Sequence, residues 1–138
     1  MSQASRVAVP QVVVPLRRLD RPALTALSYA RSISPDVTAL FVMDDSTEAE
    51  SIRAQWRSRA DGVPVVLRTS HGGSLMDALL PYLDERERQD PDRPVTVVVS
   101  DIVPRHPWTY LLHDTALGLK LRLFFRPNTV VVDVPYHV

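Results

Sequence analysis

The stretch Val95-Thr-Val-Val-Val99, introduced by Pro94, decides the fold of this chain. It is almost continuously apolar and β-branched, which is typical of a strand buried on both faces, as in parallel sheets. A strand of that kind needs helices above and below it. The segment therefore predicts an α/β protein.

Similar segments lie on both sides of this stretch, and amphipathic stretches separate them. The predicted strands are 11–15, 37–43, 63–69, 95–99 and 128–134. Strands that alternate with helices predict right-handed crossovers and a doubly wound, five-stranded parallel sheet of Rossmann-like type. With the first strand at the centre, the predicted strand order is 3-2-1-4-5.

Capping signals indicate where the helices begin. Asp20 is a candidate N-cap with Pro22 in the first turn, 44–47 offers a cap for the second helix, and Ser74 can cap the third. Pro81 lies inside the third helix and is expected to kink it, because proline removes one backbone donor. A fourth helix is predicted from the spacing of Leu112, Ala116, Leu119 and Leu123.

The length of 138 residues is typical of one domain. We divide the chain into a leader at 1–10 and an α/β domain at 11–138. A hydrophobic content of 45% excludes a disordered chain. The 16 basic and 16 acidic side chains cancel, which disfavours nucleic acid as a partner. The chain has no cysteine and no apolar run near the roughly 18 residues of a membrane span, so we expect cytosolic character.

The sequence contains no recognisable active site, and we predict that the chain is not an enzyme. Ser100, Asp101 and His106 are close in sequence, but closeness alone does not make a catalytic triad. His106 and His113 lack an adjacent pair of carboxylates, so no metal site is expected. We likewise predict no cofactor.

A ligand is expected beyond the carboxyl ends of the strands, where the strand order reverses. There the loop after the first strand faces the loop after the fourth, and arginines meet an aromatic ring, a combination suited to phosphate and a planar base. The predicted ligand-binding residues are Pro15, Leu16, Arg17, Arg18, Met43, Ser100, Pro104, Arg105, His106 and Trp108. The alternative is that these arginines are only exposed surface residues and contact no ligand.

The glycines bear on which ligand is possible. They stand at 62, 72, 73 and 118, and none follows the first or fourth strand, so the sequence has no dinucleotide fingerprint and no Walker-type loop. The turn 71–74 precedes a helix and its amides can hold an anion. A tight turn with a serine cap is the favoured interpretation of that segment.

Several segments together resemble one protein family. They are 12–21, 26–31, 90–99, 103–108, 111–113, 125–132 and 134–138. These segments are similar to the universal-stress-protein-like C-terminal cytosolic domain of bacterial permeases of the amino acid/polyamine/organocation (APC) superfamily. The likeness covers about residues 11 to 138.

The resemblance implies a universal-stress-protein-like sheet in a regulatory domain tethered to the membrane helices of a transporter, on its cytosolic side. It also implies an adenine nucleotide as ligand, since related potassium importers bind cyclic di-AMP through such a domain. Universal stress proteins bind ATP through a glycine-rich loop after the fourth strand, which this sequence lacks, so we favour cyclic di-AMP over ATP. The alternatives are a dimerisation tail that binds no small molecule, and a stand-alone ATP-binding stress protein.

Universal stress proteins often dimerise through their last strand, and the resemblance implies a homodimer here. The predicted interface is Thr129, Val130, Val131, Val132, Asp133 and Val134. This apolar segment has no lysine and no proline before Pro135, and such an edge strand invites pairing with a second copy. The alternative is that the leader, 6–10, covers the edge.

Overall fold

The computed structural model describes residues 9–60, 62–70, 75–102 and 128–136. These residues form a parallel sheet of five strands in the order β3-β2-β1-β4-β5. The strands are β1 (Gln11–Leu16), β2 (Val37–Met43), β3 (Val65–Thr69), β4 (Val95–Ile102) and β5 (Thr129–Tyr136). The predicted fold class and strand order are thereby confirmed.

The described helices are α1 (Arg21–Ile33), α2 (Ala49–Arg59) and α3 (Leu75–Gln89), and a short 3-10 turn, Ser46–Glu48, precedes α2. Helix α1 begins where its cap was predicted, because the Asp20 carboxylate accepts a hydrogen bond of 3.0 Å from the Ala23 amide. Pro81 lies inside α3, which runs on to Gln89. The predicted fourth helix, Leu112 to Leu123, lies outside the described residues.

The helices lie on both faces of the sheet, so the fold is doubly wound. Val12 and Val14 of β1 pack in one core cluster with α1 and α2, whereas Val13 packs in a second cluster with α3. Successive side chains of a strand point to opposite faces, and all three valines are buried. This explains the continuous apolar runs of the central strands. We call the two sides the α1–α2 face and the α3 face.

Trp56 connects α2 to strand β2 and to the turn before β3. Its indole Nε1 donates a hydrogen bond of 2.7 Å to the carbonyl oxygen of Val63, in the turn before β3. Its ring meets Phe41 of β2 edge-on, with centroids 6.5 Å apart and planes at 89°. The buried indole thus has a partner for its one donor and a packed aromatic surface, which together fix α2 on the sheet.

On the α3 face, the core differs in detail from the predicted set of Leu75, Met76, Leu79, Leu80 and Leu83. Leu79 and Leu83 are fully buried, but Ala78 and Tyr82 are buried as well. The guanidinium carbons of Arg68 and Arg86 lie 5.9 and 5.8 Å from the Tyr82 ring centroid. Burial raises the pKa of Tyr82 above 10.0, although the two arginine charges act in the opposite direction.

Candidate functional site

A cleft of about 580 Å³ opens between the loop after β1 and the start of α2. It lies where the parallel strands end, which we call the carboxyl edge of the sheet, and the side where the strands begin is the amino edge. Its lining residues are Arg17, Arg18, Leu19, Asp20, Phe41, Thr47, Glu48, Ser51, Ile52 and Gln55. The volume falls within the range of small-molecule sites, about 300–1,000 Å³. The carboxyl edge is also where ligands bind in open parallel sheets.

The loop after β1 forms one wall of the cleft. Its two arginines follow the strand directly and are exposed, whereas Leu19 is buried beneath them. From α2, Arg59 Nη1 donates a hydrogen bond of 2.7 Å to the Leu19 carbonyl oxygen. The next residue, Asp20, caps α1. The loop is therefore held at its base, and Arg17 and Arg18 remain at the solvent side.

The opposite wall is formed by the 3-10 turn Ser46–Glu48 and by α2. The Asp45 carboxylate accepts hydrogen bonds from both the amide and the hydroxyl of Thr47, the former at 2.7 Å, and this turns the chain into the helix. Glu48, Ser51 and Gln55 then recur at helical spacing and line the cleft from one side. They contribute a carboxylate, a hydroxyl and an amide.

The base of the cleft is apolar. Phe41 and Ile52 line it and belong to the core cluster of the α1–α2 face. An aromatic ring and an aliphatic side chain below two guanidinium groups suit a ligand with a planar ring and a negative charge. Ser51 and Gln55 add hydrogen-bonding groups for the edge of that ring.

The charges around the mouth are mixed. Arg17 Nη2 lies 3.3 Å from Asp44 Oδ1, in an ion pair whose side chains are 39% and 74% exposed. Asp20 and Glu48 also line the cleft, and one oxygen of Asp20 is engaged in capping α1. An anion entering the cleft thus meets two arginines and competes with the carboxylate of Asp44 for Arg17.

The structure places the predicted ligand-binding residues in different positions. Arg17 and Arg18 line the cleft, and Ser100 lies on β4, outside the set of lining residues. Three more are buried at the strand ends, where their side chains belong to the strands rather than to the cleft: Pro15, Leu16 and Met43. Four lie outside the described residues: Pro104, Arg105, His106 and Trp108.

The cleft lies on the β2 side of β1, whereas the predicted crevice lies on the β4 side. The sequence interpretation missed Thr47, Glu48, Ser51 and Gln55. That interpretation considered only the buried positions of α2. The available signal was the presence of polar residues that flank Ile52 and follow the carboxyl end of β2. Within the described ranges, no group of three or more His, Cys, Asp or Glu residues is placed to hold a metal ion.

Comparison with known proteins identifies the family. The family model of the KimA potassium transporter C-terminal domain matches residues 6–136. The potassium transporter KimA of Bacillus subtilis (strain 168) is 26% identical over 129 residues. That alignment covers 91% of this chain and 21% of KimA, so the chain spans about a fifth of the relative's length.

The predicted likeness to the C-terminal domain of a bacterial transporter is confirmed by these matches, whereas the likeness to universal stress proteins stays a prediction. Among the described residues, none of the helices is long and apolar enough to cross a membrane. With a match that extends over nearly its whole length, the chain belongs to the family of KimA potassium transporter C-terminal domains.

Proposed function

We propose that this domain is the cytosolic regulatory domain of an APC-superfamily potassium transporter in the cell membrane, and that it binds an adenine nucleotide. Cyclic di-AMP is favoured over ATP. Family membership supports the transporter as parent, and the cleft at the carboxyl edge supports a small-molecule ligand. The domain acts by binding and carries out no chemical step.

The cleft is the observation that carries this proposal. Its two arginines offer donors to phosphate oxygens, while Phe41 and Ile52, which are 6% and 7% exposed, form an apolar floor beneath the position of an adenine ring. Ser51 and Gln55 lie where the polar edge of the base can donate and accept hydrogen bonds. Charged, apolar and hydrogen-bonding groups are therefore combined in one cleft in the way a nucleotide requires.

The preference for a cyclic dinucleotide follows from charge. ATP concentrates several negative charges in one triphosphate, which proteins usually hold with glycine-rich backbone loops. No glycine follows β1 or β4 in this sequence, and two carboxylates line the same cleft as the arginines. A phosphodiester carries one negative charge and needs only one guanidinium. Arg17 and Arg18 thus match the singly charged phosphates of cyclic di-AMP better than a triphosphate.

Calorimetric titration of the 138-residue chain with cyclic di-AMP, ATP and AMP tests the proposal. We expect heat with cyclic di-AMP and weaker or no heat with the other two. Arg18→Gln should weaken binding about tenfold or more, since a hydrogen bond to a charged group contributes about 1.5–3 kcal/mol. Arg88→Gln, an exposed residue near the end of α3, is the matched control and should bind normally. Absence of heat with all three nucleotides, well above micromolar concentration, would reject the proposal.

A second candidate function is dimerisation through β5, and one surface feature favours it. Strand β5 is at the edge of the sheet, and Val130 is 50% exposed. Register places Val130 beside Thr96, and Thr96 beside Val12, so Val130 lies on the α1–α2 face. Helix α1 contacts β5 on that face.

Two exposed side chains of α1 extend the same surface. Tyr29 and Ile33 are 41% and 37% exposed and lie one helical turn apart. Ser28 and Arg31 line the groove toward α2, so the helical wheel puts Tyr29 and Ile33 on the side toward β5. A second copy paired along Thr129–Val134 would cover an apolar patch as well as a strand edge.

Sedimentation of Val130→Lys tests the dimer. If β5 pairs with a second copy, the unsubstituted chain sediments as a dimer and the variant as a monomer, because a buried lysine charge opposes the contact. Ser28→Lys adds the same charge on the other side of α1 and should remain dimeric. A melting point indifferent to nucleotides would favour dimerisation alone, since a ligand at a hundredfold excess over Kd adds about 2.7 kcal/mol.

A further inference from the structure

The amino edge of the sheet holds the segment that leads into β1. Val9 is 45% exposed and Pro10 is exposed, so apolar packing does not fix them. Their carbonyl groups are nevertheless bonded. Ser34 Oγ donates to the Pro10 carbonyl oxygen at 2.6 Å, and Arg93 donates to the Val9 carbonyl oxygen from Nη2 at 2.8 Å and from Nε at 3.2 Å.

These donors come from two loops that also bond to each other. Arg93 Nη2 donates to Asp36 Oδ2 at 2.7 Å in a half-buried ion pair. The Asp36 amide donates to Ser34 Oγ at 3.0 Å, and the Asp36 carbonyl accepts from the Val12 amide at 2.9 Å. Ser34, Asp36 and Arg93 thus form one connected network, which we call the amino-edge clamp.

Strand β1 could join the sheet without side-chain hydrogen bonds to the carbonyl groups of Val9 and Pro10. An exposed backbone carbonyl can bond to water at little cost. Here two consecutive carbonyls are instead bonded to side chains from the α1–β2 and α3–β4 connections, one of them through a charged guanidinium. Strand β1 is the central strand of the sheet. The bonds to Val9 and Pro10 therefore fix the direction of the leading segment relative to the whole sheet.

We propose that the amino-edge clamp is a rigid joint that couples the domain to the rest of its transporter. The family description places the domain at a C-terminal end, so in such a parent the preceding chain joins the domain through Val9 and Pro10. A rigid joint converts a change in the orientation of the domain into displacement of that chain, whereas a loose joint absorbs the change. The coupling role rests on the proposed nucleotide binding, since the nucleotide is the signal.

Spin labelling tests the rigidity of the joint. The chain has no cysteine, so Val9→Cys creates one labelling position whose side chain is exposed. We expect a nitroxide there to be immobilised in the otherwise unsubstituted chain and to become mobile when Arg93→Gln is added. Arg88→Gln is the control and should leave the label immobilised. A label that is already mobile, or that ignores Arg93→Gln, would overturn the clamp.

Potassium flux in vesicles containing the parent transporter tests the coupling. We expect Arg93→Gln to retain the affinity of the transporter for cyclic di-AMP and to lose the effect of cyclic di-AMP on flux. If that variant does not fold, Asp36→Asn removes the charge of the same pair with little change in shape. A full flux response with a released clamp would contradict the coupling role. Failure of the unsubstituted transporter to bind the nucleotide would instead reject the proposed function, and the coupling with it.

Discussion

The amino and carboxyl edges of this sheet use similar polar residues in different ways. At the amino edge, Arg93 and Ser34 donate to backbone carbonyls and hold the leading segment in place. At the carboxyl edge, Arg17 and Arg18 reach toward solvent around a cleft of about 580 Å³. Both edges are built from connections between strands and helices of the same sheet. The difference is that the side chains of the amino edge bind the backbone, whereas those of the carboxyl edge surround an open cleft, which we propose as the ligand site.

The backbone explains part of this contrast. Parallel strands all begin at one edge and end at the other, and ligands bind beyond the carboxyl ends. The side chains supply the rest. Arg59 donates a hydrogen bond to the Leu19 carbonyl oxygen behind the cleft. The backbone of the loop after β1 is therefore fixed even at the open carboxyl edge. Substitutions should therefore affect stability most where a residue serves both edges, and least at the mouth of the cleft.

Trp56→Ala should give the largest loss of stability, because Trp56 bonds to Val63 at the amino edge and packs on Phe41 beneath the cleft. We expect the free energy of unfolding in urea to fall by about 3–5 kcal/mol. Trp56→Phe keeps an aromatic ring and removes the hydrogen bond, and should cost about 1–3 kcal/mol. Equal losses in the two variants would show that packing on Phe41 contributes little.

Ser34→Ala should have the next largest effect. Ser34 is only 3% exposed, and its hydroxyl donates to the Pro10 carbonyl oxygen and accepts from the Asp36 amide. Losing both bonds should cost about 1–3 kcal/mol in urea unfolding. Ser32→Ala is the control, because that hydroxyl is exposed and bonds only locally to the Tyr29 carbonyl, and it should change stability by less than about 0.5 kcal/mol. A loss no greater for Ser34→Ala would argue against the amino-edge clamp.

Asp20→Ala removes the N-cap of α1 at the carboxyl edge and should cost about 1 kcal/mol in thermal or urea unfolding. Asp20→Asn retains a side-chain oxygen that can accept from the Ala23 amide, so it should restore most of the stability. If the asparagine variant is as unstable as the alanine variant, the carboxylate contributes through its charge rather than as a cap.

Asp44→Asn should have the smallest effect on stability, below about 0.5 kcal/mol, because its ion pair with Arg17 is exposed to solvent. The same substitution should, however, increase the affinity for the ligand. Removing the carboxylate that competes for Arg17 should tighten the binding of cyclic di-AMP, measured by titration at constant salt. Weaker binding in this variant would show that the ion pair positions Arg17 for the ligand instead.

Much of the fold was predictable because the strands are apolar on both faces. The predicted bounds of β2, 37–43, agree with the structure, and β1 and β4 extend beyond their predicted ends. Strand β4 continues through Ser100, since pairing with β5 rather than apolarity sets its end. Val63 was predicted to begin β3, yet it lies in the preceding turn, where its carbonyl accepts from Trp56.

The site was less predictable than the fold. Arg17 and Arg18 were identifiable because they directly follow a buried strand. Ser51 and Gln55 were visible only as polar residues beside the buried positions of α2, because the packing of Ile52 and Trp56 decides which side of α2 meets the cleft. The pairing of Arg93 with Asp36 joins residues 57 positions apart, and no local pattern encodes such a contact.

Amide chemical-shift mapping of the 15.5 kDa chain during titration with cyclic di-AMP tests most directly whether the carboxyl-edge cleft is the ligand site. We expect saturable shifts at the amides of Arg18, Ser51 and Gln55, with little change at Ala60 and Arg93 on the amino side. Shifts centred on the amino edge or on α3, or no shifts at saturating nucleotide, would contradict this expectation.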